Sequence, residues 1–364
     1  MKKVLQITSA LYRNGTETFI MNVFRKIDRN KVSFDFLLQT HVEGGYEEEA
    51  KELGANLYYY TPRKKNLKKY FTSINQFFKE NAHRYNAVHF HGMSFTDIYP
   101  LVVARKYGIK TRIVHTHSYS THGLHNRLLH KYYKSRIHKL GTHWLACSKE
   151  ARVWGYGGNR IFNKSVTVPN GIDMEKFQFN KIDRITTRKK LGIDPSSFTI
   201  CHVGAFRAVK NHTFLIDIFK EIYNQHPNSV LLLCGEGPTE KEIREKIKNE
   251  GLIDSVIFLG QRKKITDILS ASDVFIFPSK YEGLGFALIE AQANGIPVLT
   301  SDTVPREVKL TEHLKFLPLH TSPKNWADEA LSERGKERIY SEISTDLKKY
   351  DIKATCDILR SIYL

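Results

Sequence analysis

YEGLGFALIEAQANGIPVLTSD, residues Tyr281 to Asp302, reads as a loop leaving one strand, then a helix, then a second strand. Gly283 and Gly285 let backbone come close to a ligand, and a helix beginning near Gly285 directs unpaired N–H groups and its positive dipole end toward that loop. The segment is a cradle for a phosphate or a sugar. Glu282 stands just before the helix and Glu290 about five residues into it, roughly 8 Å along the axis at 1.5 Å per residue. At 100° per residue Glu290 falls among Phe286, Ile289 and Ala293, an apolar stripe where a lone carboxylate is costly unless a ligand's hydroxyls satisfy it. The blander reading is a Gly-rich turn whose Glu meets an internal Arg. A bare G-x-G would not choose between them. Two Glu around it, followed by Ala-x-Ala-x-Gly-x-Pro-Val, favour the ligand.

Upstream, HVGAFRAVKNH (His202 to His212) ends a strand at Gly204 and carries Arg207 and Lys210 on a loop before the next helix. Loops at the carboxyl edge of a parallel sheet are where such sheets bind ligands, and two cations there can neutralise a diphosphate. The segment lacks the paired glycines and the magnesium-binding hydroxyl of a P-loop.

Further outward the same rhythm continues. Short β-rich runs at Lys3 to Thr8, Ser33 to Leu38, Asn56 to Tyr60, Ala87 to His91, Thr111 to His115, His143 to Ala146 and Ser165 to Val168 alternate with helical patterns such as Glu17 to Ile27, Leu67 to Glu80 and Asp97 to Tyr107. Thr199 to Val203, Ser229 to Cys234, Val256 to Leu259, Val274 to Phe277 and Pro297 to Thr300 repeat the pattern in the second half. This predicts an α/β chain of two Rossmann-like, doubly wound domains. VPNGIDMEKF (Val168 to Phe177) breaks the chain after a strand, so the seam is placed there: residues 1–175 and 176–349. The closing segment 350–364 has Ile352, Cys356, Leu359 and Tyr363 at helical spacing, and that stripe needs a surface to cover.

A chain of 364 residues with 41% hydrophobic content can build two cores, and no run approaches the roughly 20 apolar residues of a membrane span. Gln6 and Thr8 interrupt the first apolar run, which reads as a buried strand and not a signal peptide. Cys147, Cys201, Cys234 and Cys356 are far apart and suggest neither disulfides nor a thiolate zinc site, in keeping with a cytoplasmic protein. The net charge of +18 favours anionic partners, while no finger, RNP or KH-type signature points to nucleic acid.

Two His-x-His pairs, His89/His91 and His115/His117, stand at strand ends. Residues i and i+2 of a strand face one way, so each pair could chelate a metal. No Cys or acidic third ligand accompanies either, and no metal is expected. LHNRLLHKYYKSRIHKL (Leu124 to Leu140) brings Leu124, Leu128, Tyr132 and Leu140 to near-helical spacing among Arg127, Lys131, Lys134, Arg136 and Lys139. Such a helix either lies on an anionic membrane surface or packs on its own domain with a solvated basic face.

With RNGTETFIMNVFRKIDR, VHFHG, RIVHTHS, LACSKEA, VPNGID, the basic loop and the Glu-to-Glu segment read together, the chain resembles the retaining GT-B glycosyltransferases of family four, close to enzymes of capsular and exopolysaccharide synthesis. The resemblance spans nearly the whole chain. It implies two lobes facing a central cleft, the first for the acceptor and completed by the helix 350–364, the second for the nucleotide-sugar donor. Arg207 and Lys210 would hold the donor pyrophosphate, and Gly283, Leu284, Gly285, Phe286 and Ala287 would complete that cradle. Glu282 would bind donor-sugar hydroxyls and Glu290 the ribose. Gly15 would belong to the N-terminal glycine loop, where similar enzymes often have two glycines and this chain has Asn14-Gly15. His117, or alternatively His115, would stand by the reacting sugar, and His91 on the acceptor side.

The activity implied is transfer of a hexose or N-acetylhexosamine from a nucleotide diphosphate sugar, UDP being the family's commonest. The acceptor would be a polysaccharide or lipid-linked oligosaccharide, with no cofactor and no metal. The rival readings are a GT-B-fold sugar-nucleotide epimerase and a non-catalytic sugar-nucleotide-binding protein.

Overall fold

The computed structural model describes residues 1–42, 45–117, 123–262, 264–282, 285–336, 338 and 344–364. The chain forms two compact units, the first comprising Met1–Ile172 and Tyr350–Leu364, the second Asp173–Lys349. The seam read from the sequence at residue 175 thus lies slightly beyond the structural division.

The first unit is built on strands β1 (Lys2–Ile7), β2 (Val32–Leu38), β3 (Leu57–Tyr59), β4 (Ala87–Gly92), β5 (Thr111–Thr116), β6 (His143–Ala146) and β7 (Val166–Thr167). They pair in the order β3-β2-β1-β4-β5-β6-β7, and every pairing is parallel. The second unit holds β8 (Phe198–Val203), β9 (Ser229–Cys234), β10 (Val256–Gly260), β11 (Val274–Phe277), β12 (Val298–Ser301) and β13 (Leu314–Leu317). Their order is β10-β9-β8-β11-β12-β13, again parallel throughout. In each unit the order reverses beside the first strand, between β1 and β4 and between β8 and β11. A crevice opens at the carboxyl ends of the strands at such a switch point.

Parallel strands need helical crossovers on both faces, which explains why strands such as Leu231, Leu232 and Leu233 are apolar without alternation. The helix His212–Gln225 shows the complementary pattern, burying Leu215, Ile216, Ile218, Phe219 and Ile222 on one side. Trp326, fully buried, closes the second core: its ring meets Phe214 edge-on at 5.8 Å, and its indole N–H donates to Pro318 O at 3.2 Å. β13, absent from the sequence reading, is only four residues long, and Lys315 breaks its apolar run.

The last helix, Ile352–Tyr363, belongs to the first unit, where Ile352, Cys356, Leu359 and Tyr363 are all buried. Tyr363 packs edge-on against Phe34 at 5.8 Å, and Ile172 N–H donates to Tyr350 O at 2.8 Å while Ile352 N–H donates back to Ile172 O at 2.9 Å. The chain therefore enters the second unit and returns from it at adjacent points of the first.

Candidate functional site

In the second unit the switch point between β8 and β11 gathers most of the residues marked by the sequence. After β8 the backbone passes Gly204 into a short 3₁₀ turn, Ala208–Lys210, that begins beside Arg207. Asn211 takes a left-handed conformation, φ 58°, so that the following helix can start at once. After β11, Lys280 N–H donates to Val209 O at 2.8 Å, tying the two loops together. Lys210 pairs through Nζ with the Glu282 carboxylate and lies 4.6 Å from the Phe277 ring centroid. Ser279 Oγ donates to the same carboxylate oxygen at 3.1 Å. Arg207 is exposed and makes no ion pair among the described residues.

Gly285 caps the helix Phe286–Asn294 with φ 70°, a left-handed position that favours glycine, and a Cβ there would press to 3.2 Å from Leu288. The N–H groups of Phe286 and Ala287 lie in the first turn, where no intrahelical acceptor exists. One cation paired to a carboxylate, one unpaired cation and a helix N-terminus thus stand on linked loops. Glu290, on the same helix, makes no hydrogen bond or ion pair among the described residues, and burial raises its pKa from 4.5 to about 7. Gly283 and Leu284 lie outside the described residues.

A further loop braces this site. β9 runs into Gly235-Glu236-Gly237, and Phe206 N–H donates to Glu236 O at 3.1 Å. A Cβ on Gly237 would come 2.4 Å from Phe206 O, and one on Gly235 would come 2.1 Å from Gly204 O. The G-x-G directly after β9 was the signal available for this brace, which the sequence reading passed over.

In the first unit the switch point between β1 and β4 holds a cavity of about 210 Å³ lined by Thr8, Ser9, Thr16, Glu17, Gln39, His91, Ser94 and Asp97 among others. Gly15 is the exposed first residue of the helix Gly15–Lys26. Glu17 is buried in that helix, and Thr8 Oγ1 donates to its carboxyl at 3.4 Å. Burial raises the Glu17 pKa to about 7. This residue too was missed; a carboxylate in the first turn of a helix whose following residues are apolar was the clue.

His91 Nε2 bonds Gln6 Oε1 at 2.7 Å, and its Nδ1 is 2.9 Å from His117 Nε2. His117 is half-buried at the end of β5, whereas His115 is fully buried under Phe19, whose ring meets it edge-on at 5.1 Å. Exclusion from water lowers the His117 pKa to about 3 and keeps the imidazole neutral. Of the expected helical stripe, Leu124, Leu128 and Tyr132 are exposed along the helix Leu124–Lys134, while Leu140 lies beyond that helix and is buried.

The description "Glycosyl transferases group 1" matches residues 183–334, and "Glycosyltransferase Family 4" matches residues 13–176. Over 372 aligned residues the chain is 32% identical to a protein named as glycosyltransferase EpsF in Bacillus subtilis (strain 168), covering 100% of this chain and 96% of that one. The chain belongs to the group 1, family 4 glycosyltransferases. It is also 26% identical to the capsular polysaccharide biosynthesis glycosyltransferase CapH of Staphylococcus aureus, covering 100% of this chain and 99% of the relative. Among solved structures, Alr3699/HepE of Anabaena in complex with UDP and glucose superposes with a TM-score of 0.77 at 18% identity, covering 99% of each chain. At that identity the likeness shows the fold, which is GT-B: two parallel-sheet Rossmann-like α/β domains.

Within this family 4 glycosyltransferase, Arg207, Lys210, Glu282, Gly285, Phe286 and Ala287 come together on linked loops of the second unit, with Glu290 on the helix that follows. Gly15, His91 and His117 fall in the first unit. Lys210 and Glu282, read separately from the sequence, are direct partners.

Proposed function

We propose that this glycosyltransferase moves a hexose or N-acetylhexosamine from a UDP-sugar to a polysaccharide or lipid-linked oligosaccharide acceptor, with retention of configuration and without a divalent metal. The observation that carries the donor site is the convergence of Arg207, Lys210 and the Phe286 helix N-terminus at the β8/β11 switch point. Relatives support the rest: CapH bears its polysaccharide role in its name, and the HepE structure holds UDP and glucose.

In the step proposed, the acceptor hydroxyl oxygen forms a bond to the anomeric carbon as the bond from that carbon to the diphosphate oxygen breaks. The hydroxyl proton passes to the departing diphosphate. Arg207, Lys210 and the N–H groups of Phe286 and Ala287 stabilise the charge gathering on the diphosphate, which removes the need for a metal. Substrate entry exchanges part of the Lys210–Glu282 pair for phosphate on the lysine and sugar hydroxyls on the carboxylate. Gly283 and Leu284 would extend this cradle. Glu290 takes the ribose hydroxyls, His117 bonds the donor sugar as a neutral imidazole, His91 lies toward the acceptor, and Gly15 belongs to the loop at the first unit's helix N-terminus.

The acceptor side also has a bearing on location. Leu124, Leu128 and Tyr132 are 73%, 60% and 53% exposed along one helical face, and Arg136 stacks on Tyr132 at 3.6 Å. No Asp or Glu stands between Asp97 and Glu150. Among the described residues no helix is long and apolar enough to cross a membrane. We place the protein in the cytoplasm, resting this face on an anionic membrane, with no nucleic-acid partner. Binding to anionic vesicles that is equal at 0.1 M and 1 M salt would contradict this, since screening shortens the Debye length from about 10 Å to about 3 Å.

The experiment for the activity is product analysis after incubation with UDP- and GDP-sugars and candidate acceptors. Transfer with a retained anomeric configuration supports the proposal. Free epimerised nucleotide sugar, or tight binding with no product, would replace it with epimerisation or binding alone.

A further inference from the structure

Each His-x-His pair lacks a third ligand along the sequence, but the fold supplies one. β4 and β5 pair in parallel with His91 opposite His115, so the alternation of side chains brings His89, His91, His115 and His117 to one face of the sheet. The rings of His89 and His91 stack with centroids 4.1 Å apart, those of His115 and His117 lie tilted at the same distance, and the planes of His89 and His115 are 7° apart. His89 Nε2 is 3.2 Å from His115 Nδ1, and His91 Nδ1 is 2.9 Å from His117 Nε2. One ring nitrogen from each of His89, His91 and His115 lies within 4.8 Å of the others. Nitrogens about 2.0–2.1 Å from a tetrahedral zinc stand roughly 3.4 Å apart, so the widest pair needs to close by up to about 1.4 Å.

The surroundings of His89 and His91 match what ligating imidazoles require. A metal-bound histidine is held through its other nitrogen by a polar partner. Here His91 Nε2–H donates to Gln6 Oε1 at 2.7 Å, which leaves its Nδ1 bare and turned toward the neighbouring imidazole. His89 Nδ1 bonds the Tyr363 hydroxyl at 2.6 Å, leaving Nε2 toward His115. Among the described residues, the fully buried His115 has no hydrogen-bond partner at Nε2, nor has the buried Nδ1 of His117. An unpaired buried polar atom costs about 1–3 kcal/mol, an expense that a sheet face of Val and Ile avoids. His91 also lines the 210 Å³ cavity, which gives an ion a route inward.

We propose that His89, His91 and His115 form a site for a single imidazole-preferring transition-metal ion, zinc(II) first among them, with the fourth position filled by a water. The ion cross-links β4 to β5 beneath the helices Gly15–Lys26 and Ile352–Tyr363. It adjoins the His117 proposed to bond the donor sugar and lies apart in sequence from the phosphate-binding loops around Arg207 and Lys210, and its test reads metal content and stability, not transfer.

The test uses the full chain without a histidine tag. Chelator-treated protein is titrated with cobalt(II) and followed by the visible absorption of four-coordinate cobalt, then with zinc(II) by competition; the metal content of protein grown with zinc is measured by mass spectrometry. We expect about one equivalent, a zinc-dependent rise in melting temperature, and loss of the cobalt spectrum in His89→Gln and His115→Gln. Gln6→Leu, which keeps all the ligands, should weaken binding about 10- to 100-fold. If the ligand variants do not fold, the wild-type titration and Gln6→Leu decide. Absence of stoichiometric binding by the wild type, or binding that disappears in the exposed-histidine control His83→Gln/His125→Gln, would overturn the site.

Discussion

Replacing Glu290 by Gln should make the ligand-free protein more stable while weakening its hold on the nucleotide. Burial raises the Glu290 pKa from 4.5 to about 7, with no hydrogen bond or cation among the described residues to favour the ionised form. A carboxyl whose folded pKa lies above its unfolded value loses folding stability as pH rises between the two. Below about pH 4.5 both states are protonated and the group contributes nothing; above about pH 7 the full penalty applies. At 1.36 kcal/mol per pH unit the interval corresponds to about 3 kcal/mol, an order-of-magnitude figure. The stability difference between Glu290→Gln and wild type should therefore grow by up to that amount between pH 4.5 and pH 8.

Urea unfolding at several pH values measures it. Trp326 reports on the second unit once Trp144 and Trp154 are replaced by Phe, which keeps the two units' transitions apart. Binding has the opposite sign. If ribose hydroxyls donate to the ionised carboxylate, UDP affinity should rise with pH up to about 7 in the wild type, approaching tenfold per unit, and be flat and weaker in the variant. A stability gap that does not change with pH would refute the reasoning, because an already stabilised Glu290 has no vacancy for a ligand to fill.

Other expectations follow from the same geometry. Arg207→Ala or Lys210→Ala should lower transfer on the order of 10²- to 10³-fold, as loss of one preorganised donor to a developing oxyanion does, with folding intact by circular dichroism; full activity in both variants would remove the donor site from this loop. Transfer started in excess EDTA should match transfer with added magnesium or manganese, and activity abolished by EDTA but restored by manganese would sink the metal-free step. Gly237→Ala should lower the melting temperature of the second unit and weaken UDP binding together, because the new methyl meets Phe206 O at 2.4 Å and only backbone can yield.

The strands were readable because a parallel sheet buried on both faces leaves apolar runs of fixed length between turn signals, and twelve such runs sit where the sequence placed them. β13 escaped because it is only four residues long and Lys315 breaks its apolar run. The loops proposed to hold the donor were legible since Arg207, Lys210 and Glu282 follow strands visible in the primary structure, and Gly285 and Glu290 open and ride the helix after them. The brace from Gly237 to Phe206 and the carboxyl of Glu17 were not: one depends on two loops meeting through backbone, the other on which side of a helix faces a cavity. The histidines show the limit most clearly. Two pairs 26 residues apart are each incomplete as ligand sets, and only the register of β4 on β5 makes them neighbours.

The hydrogen bonds of Ile172 with Tyr350 and Ile352 place the exit and the return of the chain side by side. Topologically, residues 173–349 are cargo spliced into a host whose own continuity needs only a short bridge across that gap. Such an arrangement lets the entire guest be exchanged through two neighbouring cuts without disturbing the host's sheet or its closing helix. On the proposed division of roles, a laboratory chimera cut at those two points would change the nucleotide sugar while keeping the acceptor.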